Sequence, residues 1–162
     1  MAVKRLNHAV LYVRDAKRTA AFYRDVLGFR VVSEAPFGTF MQAPDSTNDH
    51  DVAFFTIGSG AADSPAGKGS VGLYHLAWEV GTLEDLADYK SRLESVGSLV
   101  GSSDHGTSKS LYAVDPDGLE FEVCWVVPGD KLGPNAKPTA TPLPLDIRSE
   151  IERFGPSLVG GR

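Results

Sequence analysis

Short apolar segments alternate with an amphipathic one along the first part of the chain. Residues 6–13 are rich in β-branched and aromatic side chains and are short enough to form a strand. Asp15 is a suitable N-cap for the amphipathic segment that follows, and Gly28 is a suitable C-cap glycine. Three further apolar stretches are predicted strands: 29–33, 37–42 and 52–57. The predicted order is therefore β-α-β-β-β.

The same order begins again after a linker rich in Gly, Ser and Ala at residues 58–70. Residues 73–80 resemble the opening strand, and Thr82 precedes an amphipathic segment that ends at Gly97. Two more strands are predicted at 110–114 and 119–127, joined by the turn Asp115-Pro116-Asp117-Gly118. The sequence therefore predicts an α+β fold in which two βαβββ modules form one cupped mixed β-sheet.

The domain organisation follows from this repeat. We predict one domain over residues 1–127, with modules at 4–58 and 71–127. The segment 128–162 contains six prolines, which are incompatible with a regular strand or a long helix. It is predicted to be an extended tail with a short helix at 146–154, whose apolar face would dock on the sheet or on a second subunit.

Composition narrows the classes of function. The formal net charge of −5, without a Lys/Arg cluster, disfavours nucleic acid as a partner. The longest apolar stretches fall well short of the ~20 residues of a membrane span. Cys124 is the single cysteine, and the first residues lack the apolar core of a secretory signal, so we expect a cytoplasmic protein without disulfides. A small molecule is the expected ligand.

Two of the four histidines occupy matching positions in the repeat. His8 and His75 each lie early in the first strand of a module, and Glu122 lies in the last strand. Two imidazoles and one carboxylate form a facial ligand set for a divalent metal, with positions left open for substrate and for dioxygen or water. The alternative interpretation is that both histidines are core residues and Glu122 is a surface carboxylate.

Periodicity leaves one choice open in the last strand. Glu120 and Glu122 point to the same face because side chains alternate along a strand. In the first module, Phe54 or Phe55 stands roughly where the second module has Glu122, and phenylalanine cannot bind a metal. Three protein ligands are therefore expected rather than four.

These motifs resemble those of the vicinal oxygen chelate superfamily, which includes glyoxalases, fosfomycin-resistance transferases, bleomycin-binding proteins and type I extradiol dioxygenases. The resemblance covers residues 4–127 and is carried by four segments: Leu6-Asn7-His8, Ala21-Phe22-Tyr23, Leu27-Gly28-Phe29 and Asp115-Pro116-Asp117-Gly118. In this superfamily the metal carboxylate follows the turn glycine by four residues. The resemblance therefore implies Glu122, rather than Glu120, as the ligand.

The other histidines are similar to those of catechol 2,3-dioxygenases. His50, at the start of His50-Asp51-Val52-Ala53-Phe54, is in a segment like the one that contributes their histidine near oxygen. His105 resembles their second-sphere histidine and Tyr112 their substrate-facing tyrosine. The chain has one pair of modules, where many such enzymes carry a second pair in front.

This resemblance implies a ring-cleaving dioxygenase of aromatic degradation. The implied cofactor is Fe(II), or alternatively Mn(II), the implied reactants are a catechol and dioxygen, and a homodimer is expected from relatives of this size. Two alternatives use the same fold. One is a metal-dependent glyoxalase or fosfomycin-type thiol transferase, which needs no equivalent of His50 and His105. The other is a protein that binds a small compound without turnover.

Overall fold

The computed structural model describes residues 2–139 and 141–161. Their strands and helices are, in chain order, β1 (Ala9–Val13), α1 (Ala16–Leu27), β2 (Arg30–Ala35), β3 (Gly38–Gln42), β4 (Val52–Thr56), β5 (Leu76–Glu79), α2 (Leu83–Ser95), β6 (Leu99–Asp104), β7 (Ser108–Val114), β8 (Glu120–Val126) and α3 (Ile147–Phe154). The predicted α+β class with two βαβββ modules is confirmed. Hydrogen bonds group the strands into two four-stranded mixed sheets, one in each module.

The first sheet has the strand order β1-β4-β3-β2, with β1 and β4 parallel and the remaining pairs antiparallel. It belongs to a compact unit made of the residues up to Ser64 together with Pro116–Gly118. Both predicted caps of α1 are confirmed. The Asp15 carboxylate accepts hydrogen bonds from two backbone amides of the first turn, and Gly28 adopts the left-handed conformation with φ of 77°.

The second sheet repeats this order as β5-β8-β7-β6, again with one parallel pair, β5 and β8. Its unit comprises Pro65–Asp115 and the residues from Leu119 onward. The start of α2 is a capping box in which Thr82 and Asp85 satisfy each other's backbone amides. The edge strand β6 was not among the predicted strands, because its Gly-Ser-Ser-Asp half lacks apolar alternation.

The two sheets share an irregularity that fixes the correspondence between them. A bulge interrupts the β2–β3 pairing after Val31 and the β6–β7 pairing after Leu99. With the strands aligned on their partners, Glu122 pairs with Tyr112 on β7, and the corresponding pair in the first sheet is Ala53 with Phe40. The counterpart of Glu122 is therefore Ala53.

The sequence-based choice of Phe54 or Phe55 for this counterpart was wrong by one or two positions. Phe54 is fully buried and packs on Tyr23 of α1, with ring centroids 4.7 Å apart. A one-residue shift moves a strand side chain to the opposite face, so only the pairing register could decide this position. As expected, the first module has no carboxylate at the position that corresponds to Glu122.

The C-terminal segment contains α3, and this helix packs within the second unit. The ring of Phe154 contacts that of Trp125, with centroids 5.5 Å apart, and the Trp125 indole N–H donates to the Leu158 carbonyl at 3.3 Å. Lys109 of β7 is buried and bridges Asp104 and Glu150 of α3, with nitrogen to oxygen distances of 2.6 and 3.0 Å. In the described residues, no helix combines the length and apolar character that crossing a membrane requires.

Candidate metal and substrate site

The side chains of strand β8 alternate between the two faces of the second sheet. Phe121, Val123 and Trp125 are buried, whereas the alternate side chains of Glu120, Glu122 and Cys124 are only partly buried. This alternation is what a strand with one face packed on helices produces. The two glutamates therefore lie together on the less buried face of the second sheet.

His75 contacts this face from the residue just before β5. Its Nε2 lies 3.0 Å from Oε2 of Glu122, and both side chains are largely shielded from solvent, with 23% and 13% exposed. The contact arises because β5 is parallel to β8, which aligns Ala77 with Glu122 and brings the preceding segment alongside. The structure thus brings together two of the three predicted metal ligands.

Glu120 lies on the other side of the same imidazole. Its Oε1 is 3.7 Å from Nδ1 of His75, and both atoms are buried without a hydrogen-bond partner. Tyr74 hydrogen-bonds to the Glu120 carboxylate, whose negative charge is the main reason that the pKa of Tyr74 is raised. Strand periodicity left Glu120 and Glu122 as alternatives and the family resemblance implied Glu122, whereas in the structure each carboxylate lies near a different nitrogen of His75.

Tyr112 and His105 form a hydrogen-bonded pair on the same sheet. The Tyr112 hydroxyl lies 2.7 Å from His105 Nε2, and Tyr112 is directly opposite Glu122 in the β7–β8 ladder. Partial burial, aided by the charge of Glu122, raises the pKa of Tyr112, which further favours its protonated hydroxyl. His105 is held in the turn between β6 and β7 by a backbone hydrogen bond to Ser108.

Two further residues of this face were not predicted from the sequence. Ser110 and Cys124 are opposite each other in the β7–β8 ladder. Ser110 is fully buried, and burial of the Cys124 thiol, with the nearby charges of Glu122 and Glu79, raises the pKa of Cys124 to about 12. Their strand parity with Tyr112 and Glu122 is the signal that could have identified them.

In the first unit, the other two predicted histidines are in contact. The His8 and His50 rings have centroids 4.3 Å apart, and Phe40 meets His50 edge-on at 5.3 Å. The Nδ1 of His50 lies 3.1 Å from Oδ2 of Asp49. The pKa of Asp49 is lowered, first by the hydrogen bond from the His50 backbone amide and further by the His50 side chain.

A polar loop before β4 holds His50 in this position. The carboxylate of Asp51 accepts hydrogen bonds from Ala43 N, Ser46 Oγ and Asn48 Nδ2 at 2.7 to 2.8 Å. Asn48 also donates to the Asn7 carbonyl at 2.9 Å, which ties the loop to the residue before His8. Hydrogen bonds of the neighbouring residues therefore fix the backbone that carries His50.

Aromatic rings continue from His50 across the same unit. Phe55 contacts Phe40, Phe37 and Tyr12, with centroid separations of 5.9, 5.1 and 6.5 Å. The Tyr12 and Phe37 side chains are 70% and 54% exposed, so this part of the first sheet presents an apolar aromatic surface. Such a surface suits the flat face of an aromatic molecule.

The donor chemistry of the second unit fits a divalent metal ion. Two adjacent ligands at ~2.1 Å from one ion are about 3 Å apart when they subtend a right angle, which is the separation of His75 Nε2 and Glu122 Oε2. Within residues 2–139 and 141–161, no group of three or more His, Cys, Asp or Glu side chains could hold a metal. The third predicted ligand, His8, belongs to the first unit, and the full set stays a prediction.

Two surface clefts lie on other parts of the molecule. One, of about 450 Å³, is lined by the first turn of α1 and by the β2–β3 hairpin, and the other, of about 600 Å³, lies between α2 and α3. None of the six predicted metal and catalytic residues lines either cleft. The polar face of the second sheet is therefore the better candidate for chemistry.

A protein-family comparison agrees with this architecture. Residues 5–123 match the Glyoxalase/Bleomycin resistance protein/Dioxygenase superfamily. The chain belongs to this superfamily, also called the vicinal oxygen chelate superfamily. The family includes several chemistries, so membership establishes the fold and leaves the reaction to the site.

Two similar proteins have names that state an activity. The chain is 38% identical over 122 residues to biphenyl-2,3-diol 1,2-dioxygenase 3 of Rhodococcus globerulus, covering 74% of the chain and 62% of the relative. It is 30% identical over 118 residues to catechol-2,3-dioxygenase of Bacillus subtilis (strain 168), covering 73% and 40%. The matched part of the chain thus spans 40% to 62% of these relatives' lengths.

A solved structure shows the same fold at lower identity. The glyoxylase/bleomycin resistance protein/dioxygenase domain from Frankia sp. EAN1pec superposes with a TM-score of 0.64 at 19% identity, covering 79% of this chain and 96% of that one. At this identity the similarity concerns the fold alone.

Proposed function

We propose that this chain is an extradiol dioxygenase that cleaves the ring of a catechol-type aromatic compound with dioxygen. The proposed metal ligands are His8, His75 and Glu122, and the proposed ion is Fe(II), alternatively Mn(II). The observation that carries the proposal is the His75–Glu122 donor pair next to a tyrosine that is hydrogen-bonded to a second histidine. Both named relatives above are dioxygenases that act on aromatic diols by their names.

The metal would supply the meeting point of the reactants, holding the two catechol oxygens and dioxygen together and passing electron density from the ring to oxygen. The protein would then supply orientation and protons. Tyr112, protonated at neutral pH, can donate a hydrogen bond to one catechol oxygen while its own oxygen accepts one from His105. These two residues would orient the ring.

His50 would act as general acid and base on the side of dioxygen. Its Nδ1 is directed at Asp49, so the proton to be transferred is the one on Nε2. Imidazole exchanges a proton near neutral pH, which suits a group that must both accept and return one during a single turnover. The ring contacts with His8 and Phe40 hold the imidazole in place.

The test uses protein purified without oxygen and loaded with Fe(II). With a panel of catechols and air near neutral pH, we expect oxygen uptake and yellow ring-opened products. The variant Glu122→Gln removes one proposed ligand charge and should lose iron and activity together. Asp130→Gln, which changes an exposed carboxylate of a short 3-10 helix at Gly129–Lys131, is the matched control and should keep both.

The opposite result would assign the chain to another activity found in the superfamily. If no catechol supports oxygen uptake but the metal-loaded protein forms a glutathione adduct on an epoxide, the dioxygenase proposal is wrong and a thiol transferase takes its place. Binding of small aromatic compounds with neither reaction would indicate a protein that sequesters its ligand.

A further inference from the structure

The two nitrogens of His75 face two different carboxylates, and this division has a consequence for metal binding. Nε2 lies 3.0 Å from Glu122, whereas Nδ1 lies 3.7 Å from Glu120. A neutral imidazole carries one proton, so one nitrogen donates while the other keeps its lone pair. A metal ligand must present the lone pair, and the second nitrogen then needs an acceptor.

Glu120 meets the requirements of that acceptor. Its Oε1 and His75 Nδ1 are both buried without a hydrogen-bond partner, although a buried polar atom without a partner is costly. The separation of 3.7 Å is about half an ångström beyond the longest N–H···O hydrogen bonds, so the bond requires the two side chains to rotate toward each other. Tyr74 holds the carboxylate from outside through its own hydrogen bond.

We propose that Glu120 is a positioning residue that accepts a hydrogen bond from Nδ1–H of His75 and thereby leaves Nε2 free to bind the metal. The proposal rests on the function proposed above and gives Glu120 a role distinct from that of Glu122. It also explains why two glutamates with the same strand parity are both partly buried on this face. Glu122 would bind the ion, and Glu120 would orient the histidine that binds it.

The experiment measures Zn²⁺ binding by calorimetry on the full chain, without substrate, since Zn²⁺ accepts the same nitrogen and oxygen donors. Glu120→Leu removes the acceptor, and we expect the Zn²⁺ dissociation constant to rise roughly 10- to 100-fold. Glu120→Gln keeps an uncharged acceptor oxygen and should give a smaller rise. Glu94→Leu alters an exposed carboxylate of α2 and should leave the dissociation constant unchanged.

A second readout separates orientation from a general loss of structure. In ¹⁵N NMR spectra of the metal-free wild type, His75 should be mainly the tautomer protonated at Nδ1, because Glu120 accepts the hydrogen bond from that nitrogen. In Glu120→Leu we expect signals from more than one ring state, and Glu120→Gln should restore the single tautomer. A merely structural role for Glu120 would weaken binding without changing the tautomer.

The possible failures are distinguishable. If the wild type binds no Zn²⁺, the proposed function itself fails. If the wild type binds Zn²⁺ and Glu120→Leu binds it equally well, only the positioning role is overturned. If Glu120→Leu abolishes binding as completely as Glu122→Leu, then Glu120 is a ligand and the positioning role is again overturned.

Discussion

At the scale of single residues, each histidine of this chain has a defined neighbour. His75 contacts two carboxylates, His105 bonds a tyrosine, His50 faces Asp49, and His8 stacks against His50 while its Nδ1 lies 2.8 Å from Oδ1 of Asn7. Neighbours of this kind orient an imidazole and decide which nitrogen is available. The roles proposed for the four residues can therefore be separated by single substitutions.

The substitution His50→Ala separates catalysis from metal binding. If His50 is a general acid and base, the variant should retain iron while turnover of a catechol falls by roughly 10²- to 10⁴-fold. Iron content and the rate of oxygen uptake are measured on the same preparation. Loss of iron would instead make His50 a ligand, and Asp130→Gln, at an exposed carboxylate away from these contacts, serves as the control.

The Cys124 thiol predicts a dependence of stability on alkaline pH. Burial raises its pKa from 9.0 to about 12, so between these values the unfolded chain releases a proton that the folded chain retains. The contribution of Cys124 to stability is thus present below pH 9 and is lost as the pH rises toward 12. Urea unfolding at pH 8 and pH 10.5 should show a smaller loss of stability in Cys124→Ser than in the wild type. Equal losses in both proteins would contradict the prediction.

At the scale of elements, α3 is attached to the second sheet by a buried cation. Lys109 is 1% exposed and pairs with Asp104 and with Glu150 of α3. Burial alone would raise the pKa of Asp104, but hydrogen bonds from Lys109 and from the Gly106 amide outweigh it, and the pKa is lowered. The packing of Phe154 on Trp125 supplies an apolar contact beside this ion network.

Removing the cation should destabilise the molecule strongly. In Lys109→Met, two carboxylates lose a buried partner, for which the expected cost is about 3 to 5 kcal/mol in the free energy of unfolding. The control Lys90→Met removes a surface ion pair with Glu94 and should cost at most about 0.5 kcal/mol. Chemical denaturation of both variants at pH 7 measures the difference, and similar losses would show that the buried network contributes little.

At the scale of the whole molecule, the proposed metal ligands include one histidine from each module. A ligand that binds only the folded state raises its stability, by about 2.7 kcal/mol at 100 times the dissociation constant. We therefore expect Mn²⁺ to raise the melting temperature of the wild type. Because His8 and His75 are the proposed ligands of the two modules, His8→Ala and His75→Ala should each abolish this rise.

The matched control for this experiment is another histidine. His105 is proposed to bind substrate through Tyr112 rather than the metal, so His105→Ala should keep the rise in melting temperature. Thermal melts with and without Mn²⁺ give the comparison. A rise that persists in His8→Ala would remove the first module from the metal site.

The sequence alone determined the features that depend on neighbouring residues. The ends of α1 and the start of α2 were predictable because Asp15, Gly28 and Thr82 act on backbone groups within one helical turn. The repeat of the βαβββ order was predictable from the spacing of apolar residues, and the shared face of Glu120 and Glu122 from the alternation of side chains along a strand. The family motifs are equally local.

Contacts between residues far apart in sequence depend on the folded structure. The counterpart of Glu122 is Ala53 because hydrogen-bond register, shifted by a bulge, sets the alignment of strands. The division of His75 between Glu120 and Glu122, and the burial of Lys109 against α3, depend on strands and helices far apart in sequence. Local propensity carries no information about such contacts, because their energy exists only once the chain has folded.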